Sequence, residues 1–234
     1  MDRAHRRMNN QKKDSQCGTT TLTDKLKAPS DTRDEKTYAI VQAARATFLA
    51  KGFDSASMDA IALNANVSKR TVYNRFRSKE ELFAAAIVET CSHLLPVNVE
   101  EIENTLPPLD FLRALSEQFL RGLLAPEAVA LRRIAAFEAQ RTPALGMAYL
   151  AHGPEMMAKT CVSILERTTS RANIKIEDPK LAIWHLGALI TEPLYTHMLM
   201  GDNPENLDIA IERQLETGLS AFVKLYGLES LTTK

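Results

Sequence analysis

The residues best suited to chemistry lie between positions 57 and 79, and that chemistry is recognition of a polyanion. Lys69, Arg70, Arg75, Arg77 and Lys79 place five cations in eleven residues with no acid between them. Ser68, Thr71, Tyr73 and Asn74 are interleaved with them. Arginine reads guanine through two parallel hydrogen bonds, asparagine reads adenine, and threonine touches the thymine methyl. Tyr73 and Lys79 suit phosphate contacts, which set register without reading sequence. Ser57 and Ser68 stand where N-caps open two short helices, and a helix N-terminus aimed at phosphate adds its dipole to the cations. The expected DNA-contacting set is therefore Ser57, Ser68, Lys69, Arg70, Thr71, Tyr73, Asn74, Arg75 and Lys79. Lys79 falls in the first turn of the next helix, where a cation opposes the dipole, which favours a functional role for it.

These side chains need an element that aims them, and the spacing from Met58 to Arg77 is that of a helix-turn-helix over about residues 56–75. Ile61 supplies an inward contact, and Ala62 is small where two helices cross. Asn66 falls in the turn, which needs one residue with positive φ; Asn tolerates this best after Gly. Val67 and Val72 are the next inward positions, and Phe76 anchors the far end. A solvated basic helix surface explains a run of cations, but not this run together with the small Ala, the turn Asn and the paired Val.

Overall charge is zero, but it is sorted along the chain. Residues 1–33 carry eight Lys/Arg against four Asp, residues 34–83 eight against six, and residues 84–234 thirteen against nineteen. Such sorting suggests that one end meets a polyanion. Residues 1–32 hold almost nothing to bury and read as a disordered basic arm. The composition, 45% hydrophobic and 25% charged, is that of a soluble globular chain. With no apolar run long enough to span a bilayer and no apolar leader, neither membrane insertion nor a secretory signal is expected. Cys17, Cys91 and Cys161 are far apart, which fits a reducing cytoplasm better than a disulfide framework or zinc site. Paired carboxylates, H-E-x-x-H, a nucleophile elbow and a phosphate loop are all absent, so no enzyme activity, catalytic residue, metal or cofactor is expected.

The rest of the chain reads as all-α, with about nine helices. Ile40, Ala44 and Phe48 form one apolar stripe closed by Gly52. Ser78, answered by Glu81, opens a helix with a capping box. Pro107 and Pro108 mark a boundary. Helices are expected at 109–124, 126–140, 143–152, 154–172, 179–200 and 205–226, with Asp178–Pro179 and Asn203–Pro204 as starts and Gly201 and Gly227 as stops. The organisation is thus an arm (1–32), a helix-turn-helix domain (33–93) and a helical domain (94–234).

The stretch IVQAARATFLAKGFDSASMDAIALNANVSKRTVYNRFRSKEELF resembles the DNA-binding domain of the TetR/AcrR family of bacterial transcriptional regulators. Two departures are Asn66, where the family usually has Gly, and Asn64, where many members carry Lys or Arg. LRRIAAFEAQRTPALGMAYLAHGPEMM and IEDPKLAIWHLGALITEPLY are similar to the AefR-like ligand-domain branch. The resemblance implies a helical regulatory domain that dimerises through its last two long helices, encloses a small-molecule pocket and releases a palindromic operator on double-stranded DNA when an effector binds. An alternative from a different class is an architectural DNA-binding dimer without sequence preference or effector control.

By itself the C-terminal half offers a leucine row. Leu207, Ile211, Leu215, Leu219 and Phe222, with Leu181 and Ala188 on the preceding helix, are expected to form a two-fold interface between copies; the plain alternative is that the same faces close an intrachain core. Candidate pocket residues are Cys91, His93, Phe119, Phe137, Met147, Met156, Trp184, His185, Glu192 and Tyr195, for each of which an ordinary core position is the plain alternative.

Overall fold

Gly52 decides how the chain begins. In the computed structural model, which describes residues 32–96, 98–171 and 173–232, α1 (Thr32–Ser55) buries Ile40, Val41, Ala44 and Phe48 along one side. Gly52 then leaves helical geometry at φ 75, ψ 176, and this turns Phe53 into the same core. Phe53 stacks on Phe48 and Phe83 meets it edge-on, with ring centroids 5.7 and 5.2 Å away. The expected arm falls outside the described residues, apart from its last position, Thr32, which opens α1.

Three helices follow: α2 (Met58–Asn64), α3 (Lys69–Tyr73) and α4 (Lys79–Ser92). Ser57, Ser68 and Ser78 cap them, each accepting a hydrogen bond from the amide three residues on. Glu81 reaches back to the Arg77 amide at 2.7 Å, so the capping box closes one residue before its cap. Beyond lie α5 (Val99–Thr105), α6 (Pro108–Leu123), α7 (Pro126–Glu138), α8 (Pro143–His152), α9 (Pro154–Arg171), α10 (Pro179–Thr191), α11 (Leu194–Leu199) and α12 (Leu207–Tyr226), then a 3-10 turn at Glu229–Thr232. The fold is all-α, with twelve α-helices and no strand among the described residues.

Three expectations are corrected. The helix expected at 179–200 is two, because Pro193 has no amide hydrogen and holds Glu192 extended at φ −92, ψ 143. The carbonyls of Leu189 and Glu192 at the break accept from Gln214 Nε2 at 2.8 and 2.7 Å. The last long helix starts at Leu207, because Asn206, not Asn203, accepts from the Ile209 amide at 3.1 Å. The short α5, absent from the expected set, and the split at Pro193 together bring the count to twelve.

Two large hydrophobic cores result, with a smaller cluster of Phe111, Leu115 and Ile164 between α6 and α9. The first joins α1–α4 to Leu131 and Ala135 of α7 and Leu145 of α8. The second fills the space among α6, α9, α10, α11 and α12. Ile211, Leu215, Leu219 and Phe222, expected at an interface between copies, are at most 5% exposed and belong to this second core. Of the expected interface set, Leu181, Ala188 and Leu207 stay exposed. Gly218 explains the inward turn: a β-carbon there would lie 2.4 Å from the Leu189 carbonyl oxygen, so α10 and α12 touch backbone to backbone. Gly218→Val is expected to destabilise the fold by about 2 kcal/mol or more, read as a lower urea midpoint; an unchanged midpoint would mean that α10 and α12 separate without cost.

Candidate nucleic-acid interface and ligand cavity

The α2–α3 unit is held by four inward groups. Ile61, Ala62, Val72 and Phe76 are buried, with Val67 packed against them. The Val67 amide donates to the Ala62 carbonyl at 3.0 Å, which closes the turn. Asn66 takes φ 53, the left-handed conformation the turn demanded. Asn64 donates to Thr47 Oγ1 at 3.1 Å, so it ties α2 to α1.

The outward face of α3 carries Ser68, Lys69, Arg70, Tyr73 and Asn74, all exposed. The basic run is less uniform than its sequence. Lys69 Nζ pairs with Asp59 at 2.8 Å and approaches the Tyr73 ring at 5.9 Å. Its hydrogen bond to Asp59 raises its pKa. Ser68 Oγ receives the Thr71 amide at 3.1 Å and lies 2.8 Å from Thr71 Oγ1, so both residues cap the helix. Arg75 Nε donates to Thr37 Oγ1 at 2.9 Å and ties the end of α3 to α1. Arg70 and Arg77 are exposed and their guanidinium groups meet no acid among the described residues.

Lys79 is the residue whose surroundings change its reading. Its ammonium donates to the carbonyls of Phe53, Asp54 and Ala56 at 2.7, 3.1 and 3.1 Å and sits 4.4 Å from the Phe53 ring centre. It thus caps the C-terminal end of α1, where a cation is favoured, and this answers why it tolerates the start of α4.

Above this unit lies a cavity of about 760 Å³, lined from α4, α6, α7, α8, α9, α10 and α11. Of the expected pocket residues it includes Cys91, Phe119, Met147, Trp184, Glu192 and Tyr195. The other four lie elsewhere. His93 is exposed and turns to Glu89 at 3.3 Å. Phe137 is 66% exposed under Arg141, its guanidinium 5.4 Å from the ring. His185 points outward to the Tyr226 hydroxyl at 2.7 Å. Met156 is half-buried off the cavity, and its neighbour Met157 lines it instead. Helical phase separates these pairs, and phase within an apolar helix is what composition leaves open.

Arg132, Tyr149, Ser116 and Cys161 also line the cavity and were not anticipated. Arg132 had a visible signal, a cation on the row of small residues Ala128, Ala135, Ala136 and Ala139. Burial pushes the thiols of Cys91 and Cys161 up to about 11, so both stay protonated at neutral pH. Among the described residues no group of three or more His, Cys, Asp or Glu is placed to hold a metal, and no helix is long and apolar enough to cross a membrane.

Beneath the cavity, Glu89 of α4 is buried and its carboxylate receives Gln42 at 2.6 Å and Arg45 at 2.9 Å. Arg45 also reaches Glu127 of α7 at 3.3 Å. One network therefore joins α1, α4 and α7, two residues from Cys91 on the cavity wall.

A capped, exposed helix after a left-handed turn, on an all-helical body with an internal cavity, is the design of a helix-turn-helix transcriptional regulator. The profile described as "Bacterial regulatory proteins, tetR family" matches residues 40–86, and that described as "AefR-like transcriptional repressor, C-terminal domain" matches residues 110–228. The chain belongs to the TetR family of bacterial regulators, which are DNA-binding transcription regulators and not enzymes. It is 34% identical over 87 residues to the HTH-type transcriptional activator FasR of Mycolicibacterium smegmatis, spanning 37% of this chain and only 40% of FasR. A solved protein classed as a TetR-family transcriptional regulator, from Mesorhizobium loti MAFF303099, is 30% identical with a TM-score of 0.70, covering 84% of this chain and 98% of its own. The flavonoid-responsive regulator FrrA is 34% identical with a TM-score of 0.64, covering 81% of this chain and 96% of its own.

Lys79→Met is expected to lower the stability of the DNA-free protein by about 1–2 kcal/mol, since it strips a charged donor from three carbonyls. Thermal unfolding without DNA reads this. Unchanged unfolding together with weakened DNA binding would return Lys79 to the phosphate-anchoring role.

Proposed function

We propose that the protein is a homodimeric, ligand-responsive repressor that grips a palindromic operator through α3 and leaves it when a small molecule fills the cavity. The observation that carries this reading is the sharing of α4. The helix starts six residues after α3 ends, and its last turn contributes Cys91 to the cavity wall. Occupancy that displaces α4 changes the spacing of two recognition helices, and a coupling of about 1–3 kcal/mol weakens operator binding roughly 5- to 150-fold.

Repression is supported by the description of the C-terminal profile, and ligand response by the description of FrrA. A dimer is supported by the exposed Leu181 on α10 and the exposed Leu207, Ile209 and Leu225 on α12. Two copies also supply the second half-site that a five-residue recognition helix needs. In this reading Arg70 and Asn74 meet base edges. Tyr73 and Lys69 hold phosphate, with Lys69 exchanging Asp59 for the backbone, and Ser57, Ser68, Thr71 and Arg75 brace the helix at the DNA surface.

Gel shifts on DNA from the protein's own promoter region test the reading. Arg70→Ala and Tyr73→Ala are each expected to weaken specific binding by about 5- to 150-fold with helix content unchanged. Binding indifferent to sequence, or to both substitutions, would favour an architectural DNA binder.

A further inference from the structure

The cavity wall is apolar over most of its extent, and its polar groups gather on one side. Arg132 of α7, Tyr149 of α8 and Tyr195 of α11 meet there, with the guanidinium 4.6 Å from the Tyr195 ring centre. Arg132 is half-buried, and no carboxylate reaches ion-pairing distance of it among the described residues. Burial works against its charge, which Tyr195, Tyr149 and the more distant Glu192 favour; Glu192 itself is solvent-exposed. Tyr195 Oη is fully enclosed, and although Arg132 and Tyr149 lie close to it, no hydrogen bond of good geometry reaches it among the described residues. Burial raises the pKa of both phenols, so each remains an O–H donor at neutral pH. The site therefore holds one cation and two hydroxyl donors, and the acid on the cavity wall, solvent-exposed Glu192, acts on Arg132 through its charge without an ion pair. A half-buried cation and an orphaned donor both carry a cost that an acidic oxygen would relieve.

We propose that the effector is an amphipathic acid: an apolar body that fills the cavity, with one carboxylate or equally acidic oxygen seated on Arg132 between the hydroxyls of Tyr149 and Tyr195. This rests on the reading of the cavity as the effector site. The volume, about 760 Å³, is that of a drug-sized ligand pocket. The apolar lining selects the body of the ligand and the Arg132 corner selects its sign. Arginine presents a planar fork that matches a carboxylate with two hydrogen bonds, and phenol donors complete the remaining lone pairs.

Trp184 is the chain's single tryptophan and lies on the cavity wall, so its fluorescence reports occupancy directly. Titrations of the full chain at neutral pH would compare dodecanoate, dodecanol and dodecylamine, with para-phenylbenzoate and para-phenylbenzyl alcohol as an aromatic pair. The acid is expected to bind about tenfold or more tightly than its neutral partner in at least one pair, and the better pair tells whether the body is a chain or a ring system. Arg132→Met should erase that preference while the alcohol still binds, which also shows that the variant is folded. Arg132→Lys should retain part of the preference, and Tyr195→Phe should reduce it. Equal binding of acid and alcohol, preference for dodecylamine, or a preference that survives Arg132→Met would overturn the proposal and leave the cavity an effector site for neutral or cationic molecules. A Trp184 signal unmoved by every probe would overturn both this proposal and the effector reading beneath it.

Discussion

The structure turns on the burial of α4 from every side. Eight consecutive residues, Leu82 to Glu89, are withdrawn from solvent, so the helix has no free face to slide along. Its apolar side chains are held by α1 on one side and by α7 and α8 on the other. The one charge in that stretch, Glu89, survives burial because Gln42, Arg45 and His93 gather around its carboxylate. Half of the DNA-reading core and one wall of the cavity are therefore surfaces of the same rod. In the proposed function, this shared rod is the route by which an occupant of the second would act on the first.

Much of the DNA-reading half was legible in the sequence, because its constraints are local. The turn required a left-handed residue four positions after the small Ala62, and Asn66 at φ 53 is that residue. Caps announce themselves by type and offset, and Ser57, Ser68 and Ser78 all behave as their positions implied. What was not legible is where long side chains end. Lys79 and Arg75 look outward by sequence, yet their stems carry their charged heads back to α1.

The C-terminal half was harder for a physical reason. Its helices are apolar on more than one side, so a leucine row says that a face is buried but not against what. Leu215 and Phe222 read as partners for a second copy, yet they pack inside the chain, where the missing side chain of Gly218 lets α12 close on α10. The break at Pro193 carried its own signal, since the residue before a proline avoids the helical region. Arg132 and Tyr149 required tertiary structure: each is an ordinary member of its helix, and only the convergence of α7, α8 and α11 makes them one site.

The clasp between Lys79 and the end of α1 has a consequence for how such a molecule changes its mind about DNA. The chain leaves α1 at Ser55 and rejoins a fixed point at Lys79, so everything between these residues is pinned at both ends to one amine. The reading head can be carried, tilted or withdrawn, but it cannot be rewound on its own. Under the proposed function, a signal arriving through α4 would move the stylus and leave its alphabet intact.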